Sequence, residues 1–280
     1  MFASNPFAEL SATITPGVMQ TYVILMILLV VGGTLFDVVH KKSAKYFFSN
    51  WRKAQDKGDR QVAGGEIASL AIKTAASEVL TSSEFCNPNR RIAHLLGMYG
   101  FVIYLISTFV MVFGYPTAVD GTPGVWTFLW TLGALMVCVG GYWFWFFIRA
   151  DVSAEGQSPF CIIRADLFIL SLLGSATFGL LWQMTQASGS SWALIFLCLY
   201  LIASTVLFAG VPWSKFAHMF FKPAAALQKR VAQADGSLDN LPKPADRNDP
   251  AVRDSHSMEL LKDAPLNMGL GIKREGPNHY

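Results

Sequence analysis

Five stretches of this chain, residues 17–39, 92–115, 124–148, 160–186 and 191–212, are apolar on every face and carry almost no charge. A helix needs about 20 predominantly apolar residues to cross the hydrocarbon core of a bilayer. Each stretch is long enough, and none shows the strict alternation of a half-buried strand. The pattern predicts an all-α integral membrane protein, a bundle of five transmembrane helices. Two weaker, amphipathic patterns lie between the first and second stretches. Residues 41–59 mix lysine and arginine with Tyr46, Phe47, Phe48 and Trp51, which suits a helix at headgroup depth. Gly64 and Gly65 break that pattern, and residues 66–80 resume it with Ile67, Leu70, Ala71, Val79 and Leu80 as the apolar stripe.

Charge placement orients the bundle. Residues 1–16 hold no lysine or arginine, the loop 41–91 holds ten, and the turn 116–123 holds none. Arg149 and Arg164 bracket the next loop, the turn 187–190 is again free of both residues, and the chain after the fifth stretch opens with Lys215, Lys222, Lys229 and Arg230. Cytoplasmic loops carry the excess of positive charge. The N-terminus, residues 1–16, is therefore expected outside and the C-terminus in the cytoplasm, with a membrane domain over 17–230. The first stretch is longer than a signal-peptide core and has no basic residues before it, so it is expected to be retained.

Composition agrees: 52% of the residues are hydrophobic and 15% charged, against roughly 25% charged in soluble domains. The four cysteines, at 86, 138, 161 and 198, form no CxxC pair or close cluster, which speaks against an iron–sulfur or zinc site. Residues 231–280 are rich in proline, aspartate and asparagine and read as a flexible cytoplasmic tail. Its end, residues 266–280, regains Leu266, Met268, Leu270 and Ile272 beside Lys273 and Arg274, the makings of a tethered docking motif or of a plain disordered end.

Three of the five histidines stand at cytoplasmic boundaries of the apolar stretches: His40 ends the first, His94 opens the second and His218 follows the fifth. Ionisable groups at membrane depth are costly and point to function. Antiparallel packing would bring His94 and His218 to similar depth, as the two axial ligands of one b-type haem. Gly97 and Gly100 would admit a flat macrocycle beside the helix, and Arg90, Arg91, Arg164 and Lys215 stand where cations meet propionates. The other reading makes these interfacial histidines bonded to headgroups or loop carbonyls. His40 reads as interfacial, a substitute ligand or a proton acceptor for a quinol, and His256 and His279 as solvated. Asp37 and Asp166 lie near cytoplasmic ends, either as structural partners (Arg164 or a base on a neighbouring loop for Asp166) or as proton carriers at a quinone pocket. Gln183 reads as a polar cap near the outer face.

Several runs resemble the gamma-subunit family of respiratory nitrate reductases. The run Pro212-Trp213-Ser214-Lys215-Phe216-Ala217-His218-Met219-Phe220-Phe221-Lys222-Pro223 is similar to the end of that family's last membrane helix. Arg90-Arg91-Ile92-Ala93-His94-Leu95-Leu96-Gly97 is similar to its second helix, and Arg164-Ala165-Asp166-Leu167-Phe168 to the start of its fourth. In overall character the chain looks most like membrane anchors associated with dissimilatory adenylylsulfate reductase and the membrane part of the quinone-interacting complex. The resemblance covers roughly residues 15–230 and implies a cytoplasmic-side haem on His94 and His218. Members with a second, outer haem hold it with histidines deeper in helices two and five. This chain has Tyr104, Leu105, Tyr200 and Ser204 at those depths, so at most one haem is expected.

What the resemblance implies is a multi-pass subunit in a bacterial inner membrane, passing electrons between a cytoplasmic oxidoreductase of the adenylylsulfate reductase type and a quinone substrate. It would itself be non-catalytic or quinone-reactive. A haem-free anchor that only tethers the soluble reductase, through the basic loop and tail, is the alternative. The partners expected are that reductase, quinone and membrane lipid, and no nucleic acid. The topology is open to a direct test. A periplasm-active reporter fused after Thr117 is expected to be active and the same reporter after Gly58 silent; the opposite pattern would reverse the orientation.

Overall fold

The computed structural model describes residues 4–40, 42–83, 85, 87–150, 156, 158–214 and 218–241. Among them every regular element is a helix and no strand occurs. Residues 266–280, together with Lys215, Cys86, His256 and His279, lie outside the described residues. The helices are α1 (Pro6–Leu10), α2 (Pro16–His40), α3 (Ser43–Lys57), α4 (Gly64–Thr74), α5 (Pro88–Gly114), α6 (Gly124–Trp143), α7 (Leu167–Ala187), α8 (Ala193–Ala209) and α9 (His218–Ala234). A π-helical segment Phe144–Ile148 prolongs α6, and another, Ala75–Leu80, prolongs α4.

Four helical spans are long and apolar enough to cross a membrane: Pro16–His40, Pro88–Gly114, Gly124–Ile148 and Arg164–Ala187. The chain is a multi-pass membrane protein. The fifth apolar stretch is helical over Ala193–Ala209 only, 17 residues. Its start is consumed by the turn before Ala193, and Gly210 ends it.

The chain divides into two compact units. The first comprises Met1–Tyr46 and Asn87–Lys222, the second Phe47–Cys86 and Pro223–Tyr280. The second boundary falls at Pro223, inside α9, where proline removes an N–H from the helical ladder.

In the first unit, α5 starts where Asn87 caps it, accepting from the N–H groups of Asn89 and Arg90 at 2.9 and 3.3 Å, with Pro88 at the first helical position. Helix α5 then packs backbone to backbone on α6. A Cβ on Gly133 would stand 2.7 Å from the Tyr104 nitrogen and 2.8 Å from the Gly100 oxygen, and one on Gly140 would stand 2.6 Å from the Ala93 oxygen. Only glycine permits so close an approach, the usual device where apolar burial does not drive helices together. Helices α7 and α8 pair similarly, with Ser175 and Ser204 hydroxyls 2.8 Å apart. Helix α2 stands apart, with only Met19, Met26 and Asp37 buried of its 25 residues.

Residues 1–16 carry structure that the apolar pattern does not announce. Asn5 caps α1, accepting from the Phe7 and Ala8 N–H groups, while its amide donates to the Tyr115 carbonyl and to Thr122 Oγ1, both at 3.0 Å. This pins α1 against the α5–α6 turn, and Phe7 lies edge-on to Trp130 and Trp182.

The second unit is joined by charge. Arg230 bonds Ser77 and Glu78, Lys57 pairs with Asp239 at 2.6 Å, and the Asp59 N–H donates to the Asp235 carbonyl at 2.8 Å. Arg60 makes two bonds to Glu66 and a third to the Ala234 carbonyl. The guanidinium's hydrogen bonds hold the Glu66 carboxyl below its ordinary value. Val231, Ala232 and Asp235, in the segment that composition reads as the start of the tail, are buried.

The α5–α6 contact makes Gly140 of α6 and Gly97 of α5 behave differently. A valine at Gly140 is expected to cost about 1–3 kcal/mol and to lower the thermal unfolding midpoint of the purified protein. Gly97→Ala, which meets nothing within 4 Å, is expected to leave it unchanged. Equal effects would place the helix contact elsewhere.

Candidate functional site

His94 lies in the second turn of α5, half-buried. Gly97 follows one turn later on the same face, since residues three apart stack along a helix, and its face is open. Gly100 is not open: a Cβ there would stand 2.7 Å from that of Met136 and 2.8 Å from the Gly133 oxygen. Of the two glycines expected to admit a macrocycle, Gly97 leaves room and Gly100 seats α6. Further along the same stripe of α5 stand Phe101, Leu105 and Thr108, of which Phe101 and Thr108 are buried.

The other expected participants are placed as follows. His218 is the first residue of α9; its side chain and Lys215 lie outside the described part. Arg90 and Arg91 are half-buried in the first turn of α5, and Arg164 is exposed. His40, the last residue of α2, is exposed and stacks on Phe36 with ring centroids 5.0 Å apart. Asp37, three residues earlier on α2, is 2% exposed.

Asp166 does not pair with its neighbour Arg164. It takes Arg149, across the loop, at 2.5 Å. Arg149 is 1% exposed; it also donates to the carbonyls of Ser158 and Cys161 and lies over the Trp145 ring, 4.2 Å from its centroid. The same Asp166 oxygen accepts from the Ile163 N–H at 2.9 Å. All the guanidinium's named partners are structural, so Asp166 is occupied as a clamp on the α6–α7 connection. The signal in the sequence was a lone arginine ending one apolar stretch and a lone aspartate opening the next. Gln183 is likewise not a cap at the outer face but fully buried, its Oε1 accepting from Thr131 at 3.0 Å.

The residues at the depth of an outer haem come together in an unexpected way. Tyr104, Leu105, Tyr200 and Ser204 line one cleft of about 500 Å³ between α2, α5, α7 and α8. Helix α2 is tied to α8 at one point and to the turn after it at another. Tyr22 Oη donates to the Leu201 carbonyl at 3.0 Å and sits 3.1 Å from Thr205 Oγ1; eleven residues on, a Cβ at Gly33 would lie 3.1 Å from that of Val211. Between those ties, about 16 Å apart along the helix, α2 stands off and the cleft opens. Its walls are apolar, apart from a hydroxyl floor made by Tyr22, Tyr104, Thr108, Ser175, Tyr200 and Ser204. The Tyr104 and Tyr200 rings are backed by Trp130 and Trp182, at centroid distances of 5.0 and 5.6 Å. Gly179 makes room for the Tyr104 hydroxyl, which would lie 2.6 Å from a Cβ there.

Compared with known proteins, the chain matches no family model, no curated protein and no solved structure.

The clamp can be tested on its own. Arg149→Met leaves a carboxylate buried without its cation and is expected to cost about 3–5 kcal/mol, most of it recovered in the double variant with Asp166→Leu. Thermal unfolding of the two purified variants measures this. A double variant as unstable as the single one would remove the ion pair as the cause.

Proposed function

We propose that this chain is a membrane subunit linking a cytoplasmic oxidoreductase to the quinone pool. The observation that carries the reading is the continuous stripe on α5. It leads from His94, past the open face at Gly97, to a lipophilic cleft with a hydroxyl floor. The bundle in this reading has five crossings, with the N-terminus outside and the C-terminus in the cytoplasm of a bacterial inner membrane. For α8, 17 residues span about 26 Å, close to the ~30 Å of the core. Exposed Trp192 and Trp213 stand at its two ends, where interfacial aromatics belong.

One b haem would be held by His94 and His218, with Arg91, Arg164 and Lys215 as contacts for its propionates. When bound, the haem supplies one-electron transfer. His94 presents its imidazole at the cytoplasmic end of α5, Gly97 keeps the helix face clear for a flat ring, and the contact at Gly100 fixes the rotation of α5. The resemblance to the nitrate reductase gamma-subunit family and to adenylylsulfate reductase anchors supports a reductase of dissimilatory sulfur metabolism as the partner.

A second reading, the haem-free anchor, is favoured by the second unit. There, ion pairs join the first loop to α9 and the chain after it as a compact body of its own, built to hold a protein at the membrane surface.

A reduced-minus-oxidised spectrum of the purified protein separates the two. A b-type signal of at most one haem per chain is expected, lost in His94→Ala and in His218→Ala and retained in His40→Ala. Two haems, or a signal surviving both single changes, would overturn the ligand assignment; a colourless protein that still retains its reductase would leave the anchor.

A further inference from the structure

We infer that the cleft between α2 and α5 is a binding site for the ring of a prenylated quinone, entered sideways from the bilayer, with Tyr104 as the donor to a ring carbonyl. This deepens the proposed link to the quinone pool and rests on it.

The shape of the cleft selects the ligand class. About 500 Å³ is within the range of small-molecule pockets and holds a one- or two-ring head with the first part of its tail. The lips are Ile27, Val31, Ile106 and Phe109, all exposed and all apolar, on helices long enough to span the membrane. In a bilayer such a mouth faces lipid chains, so its ligand arrives dissolved in the hydrocarbon. A water-soluble substrate has no route through it.

The floor selects the head group. A cleft meant only for acyl chains has no use for six hydroxyl-bearing residues, each costly to bury unless bonded. Five of these hydroxyls have close partners. Tyr22 is held by Leu201 and Thr205, Thr108 by the Tyr104 carbonyl and the Trp130 indole, Ser175 and Ser204 hold each other at 2.8 Å, and Tyr200 lies within reach of Ser204 and Tyr104. Tyr104 is held least, with Tyr200 within reach and one bond to Ser175. Its bond to the Ser175 carbonyl is 3.5 Å long, a weak one, although the residue is 4% exposed. It is the donor with most to gain from a carbonyl oxygen placed in the cleft. Among the described residues no charged side chain lines the walls, which matches a neutral carbonyl compound rather than an anion.

Placement is rigid where it matters. Trp130 and Trp182 back the two tyrosines, and Phe7 of α1 wedges against both tryptophans, with centroid distances of 6.0 and 5.1 Å. The opposite wall, α2, is tied to α8 at Tyr22, to Val211 at Gly33 and to α5 by Gln20, which donates to the Val112 carbonyl at 3.3 Å. The floor is thus preorganised, an arrangement that reduces the ordering cost of binding.

The experiment uses the full chain in nanodiscs of synthetic phosphatidylcholine and phosphatidylglycerol, titrated with menaquinone-4, with quenching of tryptophan fluorescence as the readout. Saturable quenching is expected for the native chain. Tyr104→Phe keeps the ring and removes the donor, and is expected to weaken binding about five- to tenfold, the worth of one hydrogen bond. Val30→Trp, or Leu105→Trp at the other lip should the first not fold, fills the cleft and is expected to abolish binding with the thermal unfolding midpoint unchanged. Native affinity in all variants would move the quinone to another site, overturning the cleft while leaving the quinone link. Loss only in the filled variants would overturn carbonyl recognition by Tyr104. Displacement by geranylgeraniol as effective as by menaquinone-4 would make the cleft a slot for chains alone. No saturable quenching by the native chain would remove the quinone reading itself.

Discussion

The contact on which the first unit depends is the bare-backbone crossing of α5 and α6. Lipid tails are as apolar as leucine, so nothing analogous to the hydrophobic effect in water drives two such helices together. Dispersion contacts and close approach must do so instead. Gly100, Gly133 and Gly140 give up their side chains to that contact, and in doing so they fix which face of α5 is used up. Ala93, Gly100 and the backbones of Gly97 and Tyr104 meet α6; His94, Phe101, Leu105 and the open side of Gly97 are left pointing elsewhere. A rotation of α5 by one residue, about 100°, would bury the histidine against α6 and bring a larger side chain into the glycine contact. The chemistry-bearing stripe is therefore a by-product of packing, set by small residues that touch no ligand.

Polar groups follow the same economy. Within the spans several hydroxyls bond back to the carbonyl one turn earlier, as Thr108 does to Tyr104, Thr131 to Thr127 and Thr205 to Leu201. Several then meet a second partner: Thr108 accepts from the Trp130 indole at 2.9 Å, and Thr131 Oγ1, its one proton shared with the Thr127 carbonyl, lies 3.0 Å from Gln183 Oε1. The one buried charge pair among the described residues with both side chains under a tenth exposed, Arg149 with Asp166, sits at the end of α6 and the start of α7 rather than at mid-span. There it organises a loop carrying three backbone partners, and the desolvation cost is smaller than it would be at the bilayer centre.

Much of this was legible in the residues, for a reason that also explains what was not. Length and apolarity report directly on whether a helix can cross a bilayer, and the four helical spans begin and end within a few residues of the stretches read from the pattern. Side-chain faces are a finer matter. Gly97 and Gly100 look alike in sequence, one turn apart, yet one is open and the other holds a helix, because the difference lies in α6. Asp166 has Arg164 two residues away and pairs with Arg149 seventeen away, because loop closure, not sequence distance, decides which cation can reach it. Helix α1 escaped because five residues are too few to register as a periodic pattern. Its anchor is a single asparagine whose partners, Tyr115 and Thr122, are more than a hundred residues distant.

The cleft shows how a missing residue can be informative in a physical sense. Imidazole at the depth of Tyr104 and Tyr200 would bring a group that titrates near neutral pH into a low-dielectric interior, where the charged form is strongly disfavoured and a metal is the usual reason to keep it. Phenol and hydroxyl groups are neutral there across the whole physiological range and ask only for hydrogen bonds. A site floored with them can recognise a neutral acceptor without binding a metal and without storing charge. Polarity graded along α5, imidazole near its N-terminal end and hydroxyls further along, gives two environments suited to different tasks. The tyrosines therefore stand as a floor with its own chemistry, held in place by Trp130, Trp182 and the room that Gly179 leaves.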